Sequence, residues 1–373
     1  MEAMLSWTEA GELRTTRWRS ESGSAPPKRV RVVDDTLKAD EAYRLACEGT
    51  GLLWRGDFQN ARQLLLAMAR RVDRKPRKPP TVAGEAFNLH RQTQSQRART
   101  LAMLLLPLEA DYRIPLRRAP DVQAACRAVY GDCAEPSVVS LREVLGLVGA
   151  AEWRKKGVEI PALGGRIYPH YGVFSPVRGE YVALVHDAPL PSLDLAFDIG
   201  TGSGVLAAVL ARRGVRRVIA TDQDPRALAC ARENLAQLGL SEVVEVQQVD
   251  LFPAGRAPLI VCNPPWLPAR PSSPIEYAVF DPNSQMLRGF LAGLAAHLTP
   301  DGEGWLILSD LAEHLELRSR ATLLQWIDEA GLQVVGRMDV PPQHRKATDP
   351  SDPLHTARRA EKTSLWRLRA IRR

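Results

Sequence analysis

Asn263-Pro264-Pro265-Trp266 joins one side-chain amide, two residues lacking a backbone N–H and one flat indole. The tetrapeptide follows Leu259-Ile260-Val261-Cys262, a short apolar run that reads as a buried strand. At the C-terminal end of such a strand this set suits a planar nitrogen. Asn263 can accept one N–H through its side-chain oxygen, and Pro264 can accept a second through its carbonyl. The two prolines stiffen the turn, and Trp266 offers an apolar face on which a flat group can stack. With both N–H bonds polarised, the nitrogen itself is left facing an activated carbon. The barrier to such a transfer depends on alignment more than on acid or base help. The bland alternative is a proline turn followed by a core tryptophan.

A second set lies upstream, Asp198-Ile-Gly200-Thr201-Gly202-Ser-Gly204. A glycine-rich loop after a strand lets the backbone approach a ligand where any Cβ would collide, and its amides open the next helix towards that ligand. Asp222 comes 18 residues after Gly204, where a carboxylate ending the second strand can accept hydrogen bonds from both hydroxyls of a ribose. Asp224, with Pro225 behind it, reads as a helix N-cap. Asp250 ends a third strand and can accept a bond from an adenine amino group, with Leu251 packing on the ring. Taken alone, Asp250 reads equally well as a turn aspartate, and the glycine loop as a tight turn.

These residues require one parallel sheet with both loops at its C-terminal edge. From Leu193 onward strand and helix signals alternate: strands at 193–199, 217–221, 243–249, 259–262, 304–308, 332–340 and 363–371, with helices at 204–212, 225–238, 284–298 and 315–330. Seven strands with intervening helices predict a doubly wound α/β domain over 161–373, its last two strands free to pair antiparallel. Upstream, residues 1–35 read as a flexible leader and 36–160 as a mainly helical domain. That domain begins with a helical hairpin over 36–72 turning at Gly49 and Gly51, and continues with helices at 92–108, 122–130 and 141–148. Residues 166–176 suit a hairpin or irregular strand, and helix resumes at Gly179.

Net charge is unevenly placed. Residues 1–190 hold 29 Lys+Arg against 22 Asp+Glu, whereas 191–373 hold 21 of each. Within 51–100 there are 11 basic and 3 acidic side chains, a bias expected of a segment that meets a polyanion, although 71–80 also suits a Pro-stiffened, solvated connector. Apolar runs are too short to span a bilayer and no secretory signal is visible, so no membrane partner is expected and the cytoplasm is the expected compartment. Cys47, Cys126, Cys133, Cys230 and Cys262 form no Cys-x-x-Cys pair and the histidines show no ligand spacing; reduced thiols and no metal are expected.

The whole constellation resembles the class I S-adenosylmethionine-dependent methyltransferases over roughly 165–371. The resemblance implies S-adenosylmethionine as cofactor, with Asp198 near the methionine amine, Gly200, Thr201, Gly202 and Gly204 passing under the cofactor, Asp222 on the ribose, and Asp250 with Leu251 at the adenine. Asn263 would border donor and acceptor alike. A nicotinamide dehydrogenase shares the loop and the acid but needs no Asn-Pro-Pro-Trp. That tetrapeptide is similar to the motif of amino-directed methyltransferases, which include release-factor glutamine methyltransferases and enzymes acting on adenine N6 or guanine N2. Arg178 and Glu180, in Tyr171-Gly-Val-Phe-Ser-Pro176-Val-Arg178-Gly-Glu180, resemble the segment that precedes the cofactor loop in the glutamine-directed group, where Gly179 departs from the pattern. The implied acceptor is a glutamine amide of a translation-associated protein. The basic bias points instead to an exocyclic amine of RNA or DNA, and a non-catalytic RNA-binding scaffold is a third reading.

Overall fold

The computed structural model describes residues 3–74, 82–132, 135–271, 276, 278–343 and 348–371. The chain divides into two compact units: residues Met1–Pro79 with Asn88–Glu152, and Pro80–Phe87 with Trp153–Arg373.

The first unit differs from the helical domain expected of it. Its sheet has the order β1-β2-β6-β5-β4-β3, formed by β1 (Met4–Glu9), β2 (Glu12–Arg19), β3 (Arg29–Val33), β4 (Thr50–Trp54), β5 (Leu104–Leu108) and β6 (Ser137–Ser140). Residues 4–33, expected as a leader, supply three of these strands. Leu5, Trp18 and Val33 are buried there, and Trp18 Nε1 donates to the Ser24 carbonyl at 2.7 Å within the Ser/Pro-rich stretch. Leu5, Trp18, Leu53, Leu105 and Val138, one from each of five strands, make a shared apolar cluster. The expected helical hairpin is α1 (Ala39–Cys47) and α2 (Phe58–Asp73) with β4 between them. Thr50–Trp54 is buried at every position, and in so short an apolar run the spacing does not distinguish strand from helix. The helix expected over 92–108 is α3 (Ala83–Leu101) followed by β5; α4 (Gln123–Tyr130) and α5 (Leu141–Lys156) fall where helices are expected. Most of the basic connector, residues 75–80, lies outside the described residues, as does Cys133.

The second unit opens with the antiparallel pair β7 (Val158–Ile160) and β8 (Gly165–Ile167), then α6 (Glu180–Asp187). Strands and helices then alternate: β9 (Ala196–Ile199), α7 (Val205–Arg212), β10 (Val218–Asp222), α8 (Pro225–Gln237), β11 (Val244–Gln248), β12 (Ala257–Cys262), α9 (Gln285–His297), β13 (Leu298–Ser309), α10 (Leu311–His314), α11 (Arg320–Glu329), β14 (Leu332–Val340), α12 (His355–Ala360) and β15 (Thr363–Ala370). Their sheet has the order β11-β10-β9-β12-β13-β15-β14. The five strands from β11 to β13 run parallel, and β15 is antiparallel to both its neighbours, as the close succession of the last two strands allows.

Period-2 alternation assigns the central parallel strands to two cores. Leu259, Val261, Trp305 and Ile307 pack with Val205, Val209, Ala231 and Leu235 of α7 and α8 on one face. Ile260, Cys262, Leu306 and Leu308 pack with Phe290, Leu294, Leu323 and Ile327 of α9 and α11 on the other. With both faces covered, the central strands read as continuous apolar runs. At the antiparallel end, Arg367 donates to both oxygens of fully buried Glu303 at 2.8 Å, Arg369 donates to one at 2.8 Å, and Trp305 Nε1 adds a bond at 3.2 Å. This fork ties β15 to β13 through charge as well as through the ladder.

The order of this sheet decides where a ligand can lie. From β9 the chain proceeds outward to β10 and β11, then returns to β12 on the other side of β9. The crevice beyond the carboxyl ends of β9 and β12 is therefore the topological switch point, where open parallel sheets bind their ligands.

Candidate active site

Cys262 is in register with Ile199, so the loops beginning at Gly200 and Asn263 leave adjacent strands side by side at that switch point. The two motifs that were separated by more than fifty residues meet there.

On the β9 side, Gly200, Gly202 and Gly204 adopt φ of +70°, +56° and +81°. A Cβ on Gly204 would lie 3.2 Å from the Cα of Ala231 in α8, so this glycine lets α7 and α8 approach closely; a Cβ on Gly200 would strike the Met286 methyl at 2.5 Å, whereas the position beside Gly202 is open. The Thr201 hydroxyl and the Ala207 amide donate to Asp198 Oδ2 at 2.6 and 3.0 Å, which fixes the loop to the first turn of α7. Burial pushes the Asp198 carboxyl up to about 6 despite these bonds, with the Asp222 charge adding to the rise. Asp198 takes part in no ion pair among the described residues.

Asp222 closes the loop from β10. Its Oδ2 accepts from the Gly202 amide and its Oδ1 from the Asp224 amide, each at 3.0 Å, and burial raises its carboxyl above the ordinary value. Asp224 caps α8 by accepting from the Arg226 amide at 2.9 Å, as its position before proline predicts. The Thr221 hydroxyl donates to the Leu251 carbonyl at 2.6 Å, linking β10 to the loop after β11. Leu251 holds φ +63°, unusual for a residue with a branched side chain. Its partly buried side chain turns towards Gly289 of α9 and packs against the apolar layer there. Asp250 beside it is exposed.

On the β12 side, Asn263, Pro265 and Trp266 are partly buried and Pro264 is buried. Trp266 Nε1 donates to Asn263 Oδ1 at 2.8 Å. The Arg178 guanidinium lies over the indole, 5.1 Å from the ring centroid. Arg318, itself buried, reaches the Trp266 carbonyl at 3.4 Å and the Ser284 hydroxyl at 3.3 Å, and burial lowers its guanidinium below the ordinary value. Asp281 accepts from the Met286 and Leu287 amides at 3.0 and 3.1 Å, capping α9 and so placing Met286 over Gly200. Burial also raises the Cys262 thiol well above its usual value, leaving it an inert core side chain.

The motif spacing located the glycine loop, Asp198, Asp222 and the Asn-Pro-Pro-Trp turn, and the structure brings all of them to one crevice. It missed Arg318, Asp281 and Met286, which carry no local signal. Arg178 and Glu180 stood out only by resemblance; Arg178 joins the site through Glu361, 183 residues away in the chain. No group of three or more potential metal ligands is present among the described residues.

Residues 165–320 match the family model of the methyltransferase small domain. A release factor glutamine methyltransferase of Cereibacter sphaeroides is 34% identical over 139 residues, which cover 34% of this chain and 50% of that protein. A ribosomal protein L11 methyltransferase of Geobacter metallireducens is 33% identical over 159 residues, 36% of this chain and 51% of that protein. The chain thus spans about half the length of these curated relatives. Among solved structures, a ribosomal protein L11 methylase from Lactobacillus delbrueckii subsp. bulgaricus aligns with a TM-score of 0.38 at 20% identity, covering 53% of this chain and 81% of that one. Fold, loop and family match define a class I methyltransferase domain whose cofactor is S-adenosylmethionine. Within that class, residues 165–320, less than half of the chain, are similar to the methyltransferase small domain family.

The site suits this cofactor. Open space beside Gly202 admits a ligand close to the backbone, and the unpaired Asp198 carboxylate offers a counter-charge to an ammonium.

Proposed function

We propose that this protein transfers a methyl group to the side-chain amide nitrogen of a glutamine in a translation-associated protein. The observation that carries this reading is the register of β9 and β12, which sets Asn263 beside the glycine loop. S-adenosylmethionine supplies a methyl carbon already activated by its sulfonium. Asp198 would hold the methionine ammonium, Asp222 the ribose hydroxyls and Asp250 the adenine amine, with Thr201 keeping Asp198 in place.

The acceptor amide needs its plane fixed and its two N–H bonds directed away from the methyl. Asn263 Oδ1 keeps a second lone pair after accepting from Trp266, and among the described residues none donates to the Pro264 carbonyl. These two acceptors, set on a proline-stiffened turn, would polarise the N–H bonds while the N–C bond forms and the sulfonium C–S bond breaks to leave a neutral thioether, the released amide proton passing to solvent. Such alignment is the main contribution an enzyme can make to transfer from a sulfonium.

Two relatives support a protein acceptor by their names, one acting on a release factor and one on ribosomal protein L11. The 11 basic and 3 acidic side chains in 51–100 support a second reading, an exocyclic amine of RNA or DNA, and a recognition role for the first unit. No helix among the described residues is long and apolar enough to cross a membrane. We place the reaction in the cytoplasm with the translation apparatus.

Calorimetric titration with S-adenosylmethionine tests the donor half. Micromolar binding, weakened at least about tenfold in Asp222→Ala, is expected, equivalent to roughly 1.4 kcal/mol. No binding by the wild-type chain would sink the enzymatic reading and favour a scaffold.

A further inference from the structure

The Trp266 indole is engaged along its edge and on one face. Its N–H goes to Asn263 Oδ1 at 2.8 Å, and the Arg178 guanidinium covers the ring at 5.1 Å. Arg178 is itself fixed, donating through Nε to Glu180 at 3.1 Å and through Nη2 to Glu361 at 3.0 Å. The Ser309 hydroxyl donates to that same Glu361 oxygen at 2.7 Å. Both carboxylates are buried, so withdrawing Arg178 from the indole would strand two charges away from water. The indole also packs against the apolar clusters on both sides of the sheet.

An indole N–H donates and never accepts, so its partner must be the amide oxygen of Asn263. The bond therefore settles which way that amide faces. A phenyl or phenol ring in the same place would leave it free to flip. Conversely, a ring with one face under a guanidinium and much of its surface in the core makes a poor platform for a nucleobase.

We infer that Trp266 is a positioning residue that orients the Asn263 amide, with Arg178 holding the indole, and that the acceptor is a compact planar amide and not a stacked base. This rests on the reading of Asn263 as the residue that holds the acceptor nitrogen. Trp266 then acts through Asn263, and Arg178, Glu180 and Glu361 act through Trp266.

The test has two arms, both on the full chain. The eight tryptophans are labelled with 15N on the indole, and Trp266→Phe identifies which resonance belongs to Trp266. In Asn263→Ala that resonance should move upfield and exchange faster with solvent while the other seven stay in place. Arg178→Lys, which keeps the charge but loses the flat stack, should perturb the same peak less than Arg178→Ala. An unmoved Trp266 peak in Asn263→Ala would overturn the positioning role.

The second arm follows transfer of labelled methyl from S-adenosylmethionine into an extract of cells lacking the protein. Trp266→Phe should retain at most about a tenth of the wild-type rate with unchanged cofactor affinity, since it keeps the ring and loses the N–H. Full activity in Trp266→Phe with loss in Trp266→Ala would show a platform and overturn the inference. Label released by nuclease would overturn the choice of an amide acceptor. No incorporation by the wild type would refute the proposed function, and the resonance arm would still decide the Trp266–Asn263 bond.

Discussion

Asp198→Asn should stabilise the cofactor-free protein at neutral pH and weaken its cofactor binding. Burial moves the Asp198 carboxyl from an ordinary 3.8 up to about 6, a difference of about two units, so the ionised form costs about 3 kcal/mol in the folded chain. The sign follows from proton counting. Between about pH 4 and pH 6 the folded state keeps a proton that the unfolded state has released, so stability falls as pH rises through this window and the cost is complete above it. Asparagine cannot ionise, yet its single oxygen can still accept from Thr201 and Ala207, both of which donate to one Asp198 oxygen. Allowing for weaker bonds to a neutral acceptor, the variant should gain roughly 1–3 kcal/mol at pH 7 and little or nothing near pH 4. Urea unfolding of both proteins from pH 4 to 8 measures this, and taking the difference cancels the titration of unrelated groups. With S-adenosylmethionine present the order should reverse, because the substituted asparagine lacks the charge for the methionine ammonium; affinity should fall at least about tenfold, roughly 1.4 kcal/mol. A stability difference that stays constant from pH 4 to 7, or equal cofactor affinity, would refute the argument from burial.

Three further perturbations address other parts of the molecule. Asn263→Ala should leave cofactor affinity nearly intact and cut turnover at least about tenfold, some 1.4 kcal/mol of lost alignment; unchanged turnover in the labelled-methyl assay would remove Asn263 from its role. Gly204→Ala forces φ +81° on a residue with a Cβ and sets that carbon 3.2 Å from backbone of α8, so a loss of about 2 kcal/mol in urea unfolding is expected. Cofactor binding should weaken with it, and a fully stable variant would show that the loop tolerates a side chain. Glu303→Ala removes the acceptor of Arg367 and Arg369; burial pushes the Glu303 carboxyl up, but the bonds from Arg367, Trp305 and Arg369 outweigh it and leave it below the ordinary range. Because the arginines keep partial access to water, the loss should sit near the lower end of the cost of breaking a buried pair, about 3 kcal/mol, and an unchanged urea midpoint would contradict this.

The second unit was legible because its signals are local and repeated. Each parallel strand is an apolar run ended by a loop with a chemical signature, and β9 with Gly200–Gly204, β10 with Asp222 and β12 with Asn263 are read from a few residues each. The first unit was not legible for the same physical reason in reverse. Thr50–Trp54 and Leu104–Leu108 are short apolar stretches beside amphipathic helices, so their neighbours' period of 3.6 absorbs them. In residues 4–33, β1 and β3 do alternate but over only six and five residues, while β2 is exposed along its first half and is held by pairing with a strand more than a hundred residues later. Within the site, the glycine loop and acids follow from spacing, whereas the support around Trp266 depends on Arg178 meeting Glu361 across 183 residues.

The most direct test of methyl transfer to a protein amide is to incubate the protein and labelled S-adenosylmethionine with an extract of cells lacking it, then digest separately with protease and nuclease. The account predicts label released by protease and untouched by nuclease, with amino-acid analysis after proteolysis placing it on a glutamine side chain. Label released by nuclease alone would contradict the account and make the acceptor a nucleobase amine.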